Sequence, residues 1–417
     1  MRARSGVRPL ATAAFSPPAV PPPLAPEAER EAWDTLAGAD HPLAESRFAD
    51  CVERGGVEGA RFERLLLRST SGEPALAAEL SRLDVRLDLL SPTPFRGAIS
   101  RARRLWPRLL RVPVLFAGLP ASFAQPGVRL APEMPESERE RLVHALVDRM
   151  EAQAETWSTP LLCAKEFTTP EADALAGPLA SRGFLRLPSM PGVRLGFEGS
   201  SGEGSEGAQP ETRPPHTHTP PTTHTAFRAA MRSGYRRQLD ADLVARQRLR
   251  LRRIENWAPE AEAFYRLYAR VMDRAPYQLE RFGAGFFHAL AERYAGDSAV
   301  LVLEDDAGPL AMALTLYGSD TAVFLLAGID YGRAEPLGAY PALVVSVIED
   351  ALARGYSAVE LGQTSYALKT RLGGVPTDRW LFLKARTPWA QRLLARAAPA
   401  LFPRWDVPPR RVFRQSP

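Results

Sequence analysis

Residues 358–374 read AVELGQTSYALKTRLGG, and the order of chemistry along them decides the fold. A short apolar strand, Ala358 to Leu361, runs into a polar Gly-Gln-Thr-Ser-Tyr turn; Lys369 and Arg371 follow, and Gly373 and Gly374 close the stretch. Upstream, 341–355 (PALVVSVIEDALARG) reads as a helix, and 321–330 (TAVFLLAGID) as another apolar strand. Strand, loop, helix and strand therefore lead to a basic polar turn. Gln363, Thr364, Ser365 and Tyr366 stand at the carboxyl end of the second strand, where sites of α/β sheets gather.

The rest of this half fits around that unit. SAVLVLE (298–304) and PLAMALTLY (309–317) predict a hairpin turning at Asp306, Ala307 and Gly308, and DRWLFLK (378–384) predicts a last strand. RLRLRRIE (248–255) alternates as a strand does. Amphipathic helices are expected over 258–272 and 282–294, with Pro259 near the start of the first. His288 falls on a helix beside Phe286, Phe287 and Leu290, which is a packing environment. Residues 227–246 predict a basic helix containing MRSGYRRQL.

The 417 residues are enough for two or more domains. Apolar content of 45% and charged content of 24% are ordinary for a globular protein. A net charge of +5 favours anionic partners without requiring them. Cys51 and Cys163 both sit in apolar or amphipathic contexts and read as reduced core residues. No apolar run is long enough to span a membrane. Prolines interrupt the apolar part of residues 1–23, so a disordered leader over 1–27 and a cytoplasmic location are expected.

Residues 199–225, GSSGEGSEGAQPETRPPHTHTPPTTHT, hold almost no apolar side chain and read as a flexible linker between residues 28–198 and 226–417. Its histidines His216, His218 and His224 lie in a tract unable to fix a metal geometry, and no metal is expected. The N-terminal half repeats the C-terminal pattern less clearly. Strands are expected at 61–67, 112–120 and 157–167, helices at 137–154 and 170–182, and an extended segment at 183–197.

The order of elements over 226–386 resembles that of GNAT-type acyltransferases, and Lys369-x-x-x-Gly373 after the second strand resembles the FemAB-like, peptidoglycan biosynthesis/recognition branch. WDTLAGADHPLAESRFADC (33–51) is similar to the opening of proteins in that branch. The resemblance implies an α/β (α+β) chain of two tandem GNAT-like lobes, the first degenerate, each a mixed, largely antiparallel sheet flanked by helices. It further implies transfer of an acyl or aminoacyl group to an amine by direct attack. The alternative is a non-catalytic tandem protein that binds a cell-wall or lipid-linked precursor.

In that fold two central strands splay and the acyl donor slots between them, its carbonyl polarised by a free backbone N–H. Ala327 and Gly328 suit that place; close packing is the other explanation for a strand glycine. Acyl-CoA-binding members cradle a pyrophosphate with a Gly-rich loop at a helix N-terminus. The matching loop here, GRAEPLGAYP (332–341), offers Arg333, Gly338 and Tyr340 but carries Pro336 and departs in spacing. FemAB-type members use aminoacyl-tRNA instead, so either donor stays open. No tightly bound cofactor is expected.

The resemblance makes Lys369 the central candidate, as a charge that binds the donor or steadies a tetrahedral oxyanion; the alternative is a solvated surface lysine. Lys165, Lys369 and Lys384 are the only lysines among 53 basic residues, so a lysine here is a specific choice. Gln363 and Tyr366 join it as catalytic candidates, and Glu360 as general base for the acceptor. Arg371 is assigned to the donor. Tyr235, Arg236 and Arg237, matching a Tyr-Arg-Arg helix of the FemAB-like branch, are assigned to an acceptor or anion. The partners expected are a small-molecule or precursor amine, and tRNA on charge alone. FRGAISRARRLWPRLLR (95–111) is a candidate membrane-surface helix that would bring the protein to the inner membrane; solvated arginine faces are the alternative for both basic segments.

Overall fold

The computed structural model describes residues 27–37, 41–57, 59–86, 111–119, 123–197, 224–275 and 280–414. The first half comprises α1 (Glu27–Ala37), α2 (Ser46–Gly55), β1 (Arg61–Arg68), β2 (Pro74–Arg86), β3 (Arg111–Ala117), β4 (Val128–Leu130), α3 (Glu136–Thr156), β5 (Leu161–Phe167), α4 (Thr169–Ser181) and β6 (Leu185–Gly196). The second begins with α5 (His224–Ala230), α6 (Ser233–Gln247), β7 (Arg250–Ile254), α7 (Ala261–Arg274), α8 (Ala284–Arg293), β8 (Ser298–Asp305), β9 (Gly308–Tyr317) and β10 (Thr321–Ile329). It ends with α9 (Tyr331–Ala334), α10 (Ala339–Ala353), β11 (Ala358–Gly362), α11 (Tyr366–Arg371), β12 (Val375–Ala385) and α12 (Pro388–Leu401).

Local chemistry explains several of these boundaries. At the β8–β9 turn, Asp305 Oδ1 accepts from the Ala307 N–H at 2.8 Å, a side chain standing in for a backbone turn partner. Thr168 and Glu171 form a reciprocal capping box that starts α4. Strands β8 and β9 are apolar and buried on both faces, because helices cover the sheet on each side. Phe264 and Phe287 pack on one face, and Leu343 and Val347 of α10 on the other. The first half has a further core between its strands, α3 and α4, with Leu142, Met150 and Phe167.

All the described strands lie in one sheet, in the order β1-β2-β3-β5-β12-β6-β11-β10-β9-β8-β7, with β4 on β2. The halves are tandem and interleaved. Strand β12, from the chain's end, pairs antiparallel with β5 and β6 of the first half. Strand β6 in turn pairs with β11. Each half contributes one parallel pair, β3–β5 and β10–β11, inside otherwise antiparallel surroundings. The separate sheets expected for the lobes are thus one continuous sheet with the motif repeated.

Two expectations are refined. The basic helix of 227–246 is two helices broken at Met231, which bridges to Phe413. Residues 199–223 of the expected linker and the 95–110 part of the basic segment lie outside the described residues, as does the leader up to residue 26. His224 and Thr225 are not linker: they open α5, and His224 Nε2 stands 2.9 Å from Glu349 Oε1. Cys51 and Cys163 are free and buried, and burial pushes both thiols up to about 12. Among the described residues no helix is long and apolar enough to cross a membrane, and no cluster could hold a metal ion.

Candidate functional site

Strands β10 and β11 are paired only at Thr321↔Ala358, Ala322↔Val359 and Val323↔Glu360. Beyond that a bulge falls between Phe324 and Leu326, where β10 shifts register against β9. A bulge bends its strand, so the two part at their carboxyl ends as expected of the site. The turn that follows β11 is strained. Thr364 and Ser365 have φ of 64° and 49°, and Glu166, at the end of β5, has φ of 73°. These are three of the five non-glycine left-handed residues described, and their concentration at one place is what functional sites show.

The turn and β5 meet. Gln363 Nε2 donates to the Met190 carbonyl of β6 at 2.8 Å and reaches Glu166 Oε1 at 3.4 Å. Tyr366 donates to the Pro191 carbonyl at 2.9 Å. Burial, with the nearby Glu166 carboxylate adding to it, pushes the Tyr366 phenol up to about 12. Glu166 is 2% exposed, and its Oε2 has no hydrogen-bond partner among the described residues. A buried carboxylate oxygen left open is costly unless a cation or donor comes to it.

Lys369 is not in a turn and not at the surface. It lies on α11, is 2% exposed, and its Nζ donates to the Gln363 carbonyl at 2.6 Å. Burial pushes its ammonium down to about 7. A lysine in this state exchanges a proton near neutrality, which a solvated lysine does not. The following glycines let the helix seat so deeply. A Cβ on Gly374 would come 2.5 Å from Val193, and one on Gly373, at φ 98°, would meet the Phe413 ring.

The loop 332–341 reaches the same turn, since the hydroxyls of Tyr340 and Ser365 are hydrogen-bonded. Burial raises the Tyr340 phenol. Gly338 is the left-handed N-cap of α10. The structure thus gathers Gln363, Tyr366, Lys369, Gly338 and Tyr340, and Tyr235 packs on the same core.

Four other candidates are occupied elsewhere. Arg333 binds Asp305, the Gly308 carbonyl at 2.9 Å and the Pro309 carbonyl at 3.3 Å, which ties the loop to the β8–β9 hairpin. Arg371 pairs with Asp242 of α6 at 2.6 Å. Glu360 pairs across the sheet with Arg194 at 2.9 Å, so it is not a free base. A Cβ on Gly328 would lie 2.7 Å from Leu267 of α7, so close packing explains that glycine, next to Ala327. Arg237 is exposed and Arg236 half-buried on α6.

Residues 226–370 match the family model described as an Acetyltransferase (GNAT) domain. Those residues of the C-terminal half are similar to a GNAT domain. A candidate 8-amino-7-oxononanoate synthase 2 of Mycobacterium tuberculosis, in two strains, is 28% identical over 152 residues. That match covers 34% of this chain, and the chain spans only 20% of the mycobacterial protein's length. Among solved structures, FemX is similar with a TM-score of 0.51 at 10% identity, over 88% of this chain and 98% of that one. A tandem GNAT protein from the clavulanic acid biosynthesis pathway gives 0.45 at 13% identity, over 87% and 96%. At such identity the FemX likeness speaks for the fold alone. The candidate site of this matched region draws Glu166, Met190 and Pro191 from outside the matched residues. Sequence reasoning missed Glu166, although the rarity of lysine that singles out Lys369 also marks its neighbour Lys165.

Proposed function

We propose that the protein transfers an acyl or aminoacyl group to an amine, with the reaction centred on Lys369, Gln363, Tyr366 and Glu166. The observation that carries this is the buried Lys369 after a parted strand pair, hydrogen-bonded to the Gln363 carbonyl while the Gln363 side chain reaches Glu166, a buried carboxylate with an open oxygen. Glu166 receives the ammonium of the incoming acceptor. The amine, once deprotonated, attacks the acyl carbon; the C–N bond forms and the carbonyl becomes an oxyanion. Lys369 in its neutral form takes the proton lost by the amine, and in its charged form returns it to the leaving group as the acyl bond breaks. Tyr366, held protonated, donates to the oxyanion by turning its single O–H away from the Pro191 carbonyl.

An aminoacyl-tRNA donor fits the loop better than acyl-CoA. Arg333 is held by Asp305, and Pro341 removes one amide from the first turn of α10, which weakens a pyrophosphate cradle. The acceptor is a small-molecule or precursor amine. A cytoplasmic location suits an enzyme drawing on either donor. Incubating the full chain with charged tRNA pools or acyl-CoAs and an amine library, read by mass spectrometry, tests this reading. Acyl transfer that Lys369→Met abolishes supports it. Retention of a ligand unaffected by changes at Lys369, Gln363 and Tyr366 would instead favour a non-catalytic binding protein.

A further inference from the structure

Residues 386–414 carry seven arginines and a single acid, Asp406, and every one of those arginines is exposed. Only two have ion-pair partners among the described residues, Arg386 with Glu155 at 3.0 Å and Arg404 with Asp378 at 3.3 Å, both on wet surface where such pairs are weak. The same segment holds three of the five large apolar side chains exposed among the described residues: Trp389, Leu393 and Trp405, against Val244 and Leu251 elsewhere. Trp389 is 69% exposed and Leu393 60%.

Helix α12 explains how this arises. Leu394 and Ala398 face inward and pack on the core with Phe402. Trp389, Leu393, Arg396 and Ala400 fall at i, i+4, i+7 and i+11, one stripe on the outer face, with Arg392 beside it. A tryptophan and a leucine side by side between arginines is the chemistry of a helix that lies in a lipid interface. In water those two side chains are uncovered apolar area with no gain to offset it.

We propose that α12 docks on an anionic phospholipid bilayer. Trp389 and Leu393 enter the boundary between headgroups and acyl chains, while Arg392 and Arg396 meet the lipid phosphates. A polynucleotide would account for the arginines but leaves Leu393 without purpose, since leucine offers no ring to stack on a base. The docking is coupled to the site already described. The strand of chain leaving α12 lays Trp405 against Tyr366, ring centres 6.0 Å apart. The helix that meets the lipid and the wall of the site are therefore joined by a few residues. The proposal stands whether or not the transferase reading does.

Co-sedimentation of the full chain with vesicles tests it. Binding is expected to phosphatidylcholine–phosphatidylglycerol vesicles, to weaken with salt, and to be absent on phosphatidylcholine alone. Trp389→Ser with Leu393→Ser should reduce partitioning by about tenfold or more. Arg392→Gln and Arg396→Gln should each reduce it by about fivefold. Melting should stay unchanged in all of them, because these side chains are exposed. Undiminished binding by the serine variant would overturn the proposal by placing the contact elsewhere. So would equal binding to neutral vesicles. Two further results would overturn it: a dimer that the serine variant dissolves, or tRNA binding through α12 without vesicle binding.

Discussion

The side-chain amide of Gln363 stands 3.4 Å from Glu166 Oε1, so the turn of one half closes on the carboxylate of the other. The two residues are 197 positions apart and are brought together by β6 and β12, which separate β5 from β11 in the sheet. The site is a property of the interleaved pair of halves.

If Glu166 holds the acceptor ammonium, Glu166→Gln should lower kcat/KM for transfer by about a hundredfold. Its stability should hold or rise, because the change removes a buried charge with an open oxygen. Paired transfer assays and denaturant titrations check this. Unchanged transfer would remove Glu166 from the site.

Lys369 makes stability depend on pH in a defined direction. Below about pH 7 the folded and unfolded chains both hold its proton, and the fold bears the full cost of a buried ammonium. Between about 7 and the ordinary value of 10.5 only the folded chain gives the proton up, so stability rises with pH across that window. Lys369→Met lacks this dependence. Its melting temperature relative to the unaltered protein should be highest near pH 6 and decline towards pH 10. Transfer should fall by about a hundredfold, and Lys369→Arg should not restore it, because a guanidinium stays charged at any working pH.

Glu360 should behave as a structural residue. Glu360→Gln leaves Arg194 without its charged partner and is expected to lower stability by about 1–3 kcal/mol, with transfer within about threefold of normal. A double-mutant cycle with Arg194→Gln, measured by urea unfolding, isolates the pair. A large drop in kcat at unchanged stability would reinstate Glu360 as a base.

Phe413 is 9% exposed and lies against Gly373 and the Phe227 ring, at 5.5 Å from the latter. Phe413→Ala should cost about 3 kcal/mol. It should also loosen Trp405 from Tyr366, which fluorescence quenching by acrylamide would register as increased tryptophan access. Coenzyme A is expected to bind weakly or not at all. Tight, thioester-dependent binding by calorimetry would return the donor to acyl-CoA.

Much of the second half is legible because its apolar runs are unbroken. The hairpin of β8 and β9, helix α10 and strand β11 follow from SAVLVLE, PLAMALTLY, VVSVIEDALA and AVEL nearly residue for residue. Strand β2 is not, because Glu79, Arg82 and Asp84 interrupt its apolar pattern and partners on both sides set its pairing. The burial of Lys369 is equally hidden. Its immediate neighbours, Leu368 and Thr370, do not tell a buried position from an exposed one, and the groups that pack on the glycines after its helix, Val193 and Phe413, arrive from distant parts of the chain. Glu166 carries no local mark beyond ending an apolar strand; its importance comes from Gln363.

The place of β12 has a consequence for how the chain is made. Both β5 and β6 emerge from the ribosome long before residues 375–385, the strand that must lie between them. Until then each has a bare edge able to pair with the wrong chain. The first half therefore cannot finish folding as it is synthesised, and a transcript ending before β12 would yield two unfinished lobes instead of one complete and one missing. Sequence variants that slow or truncate the end of translation should appear first as aggregation of the beginning.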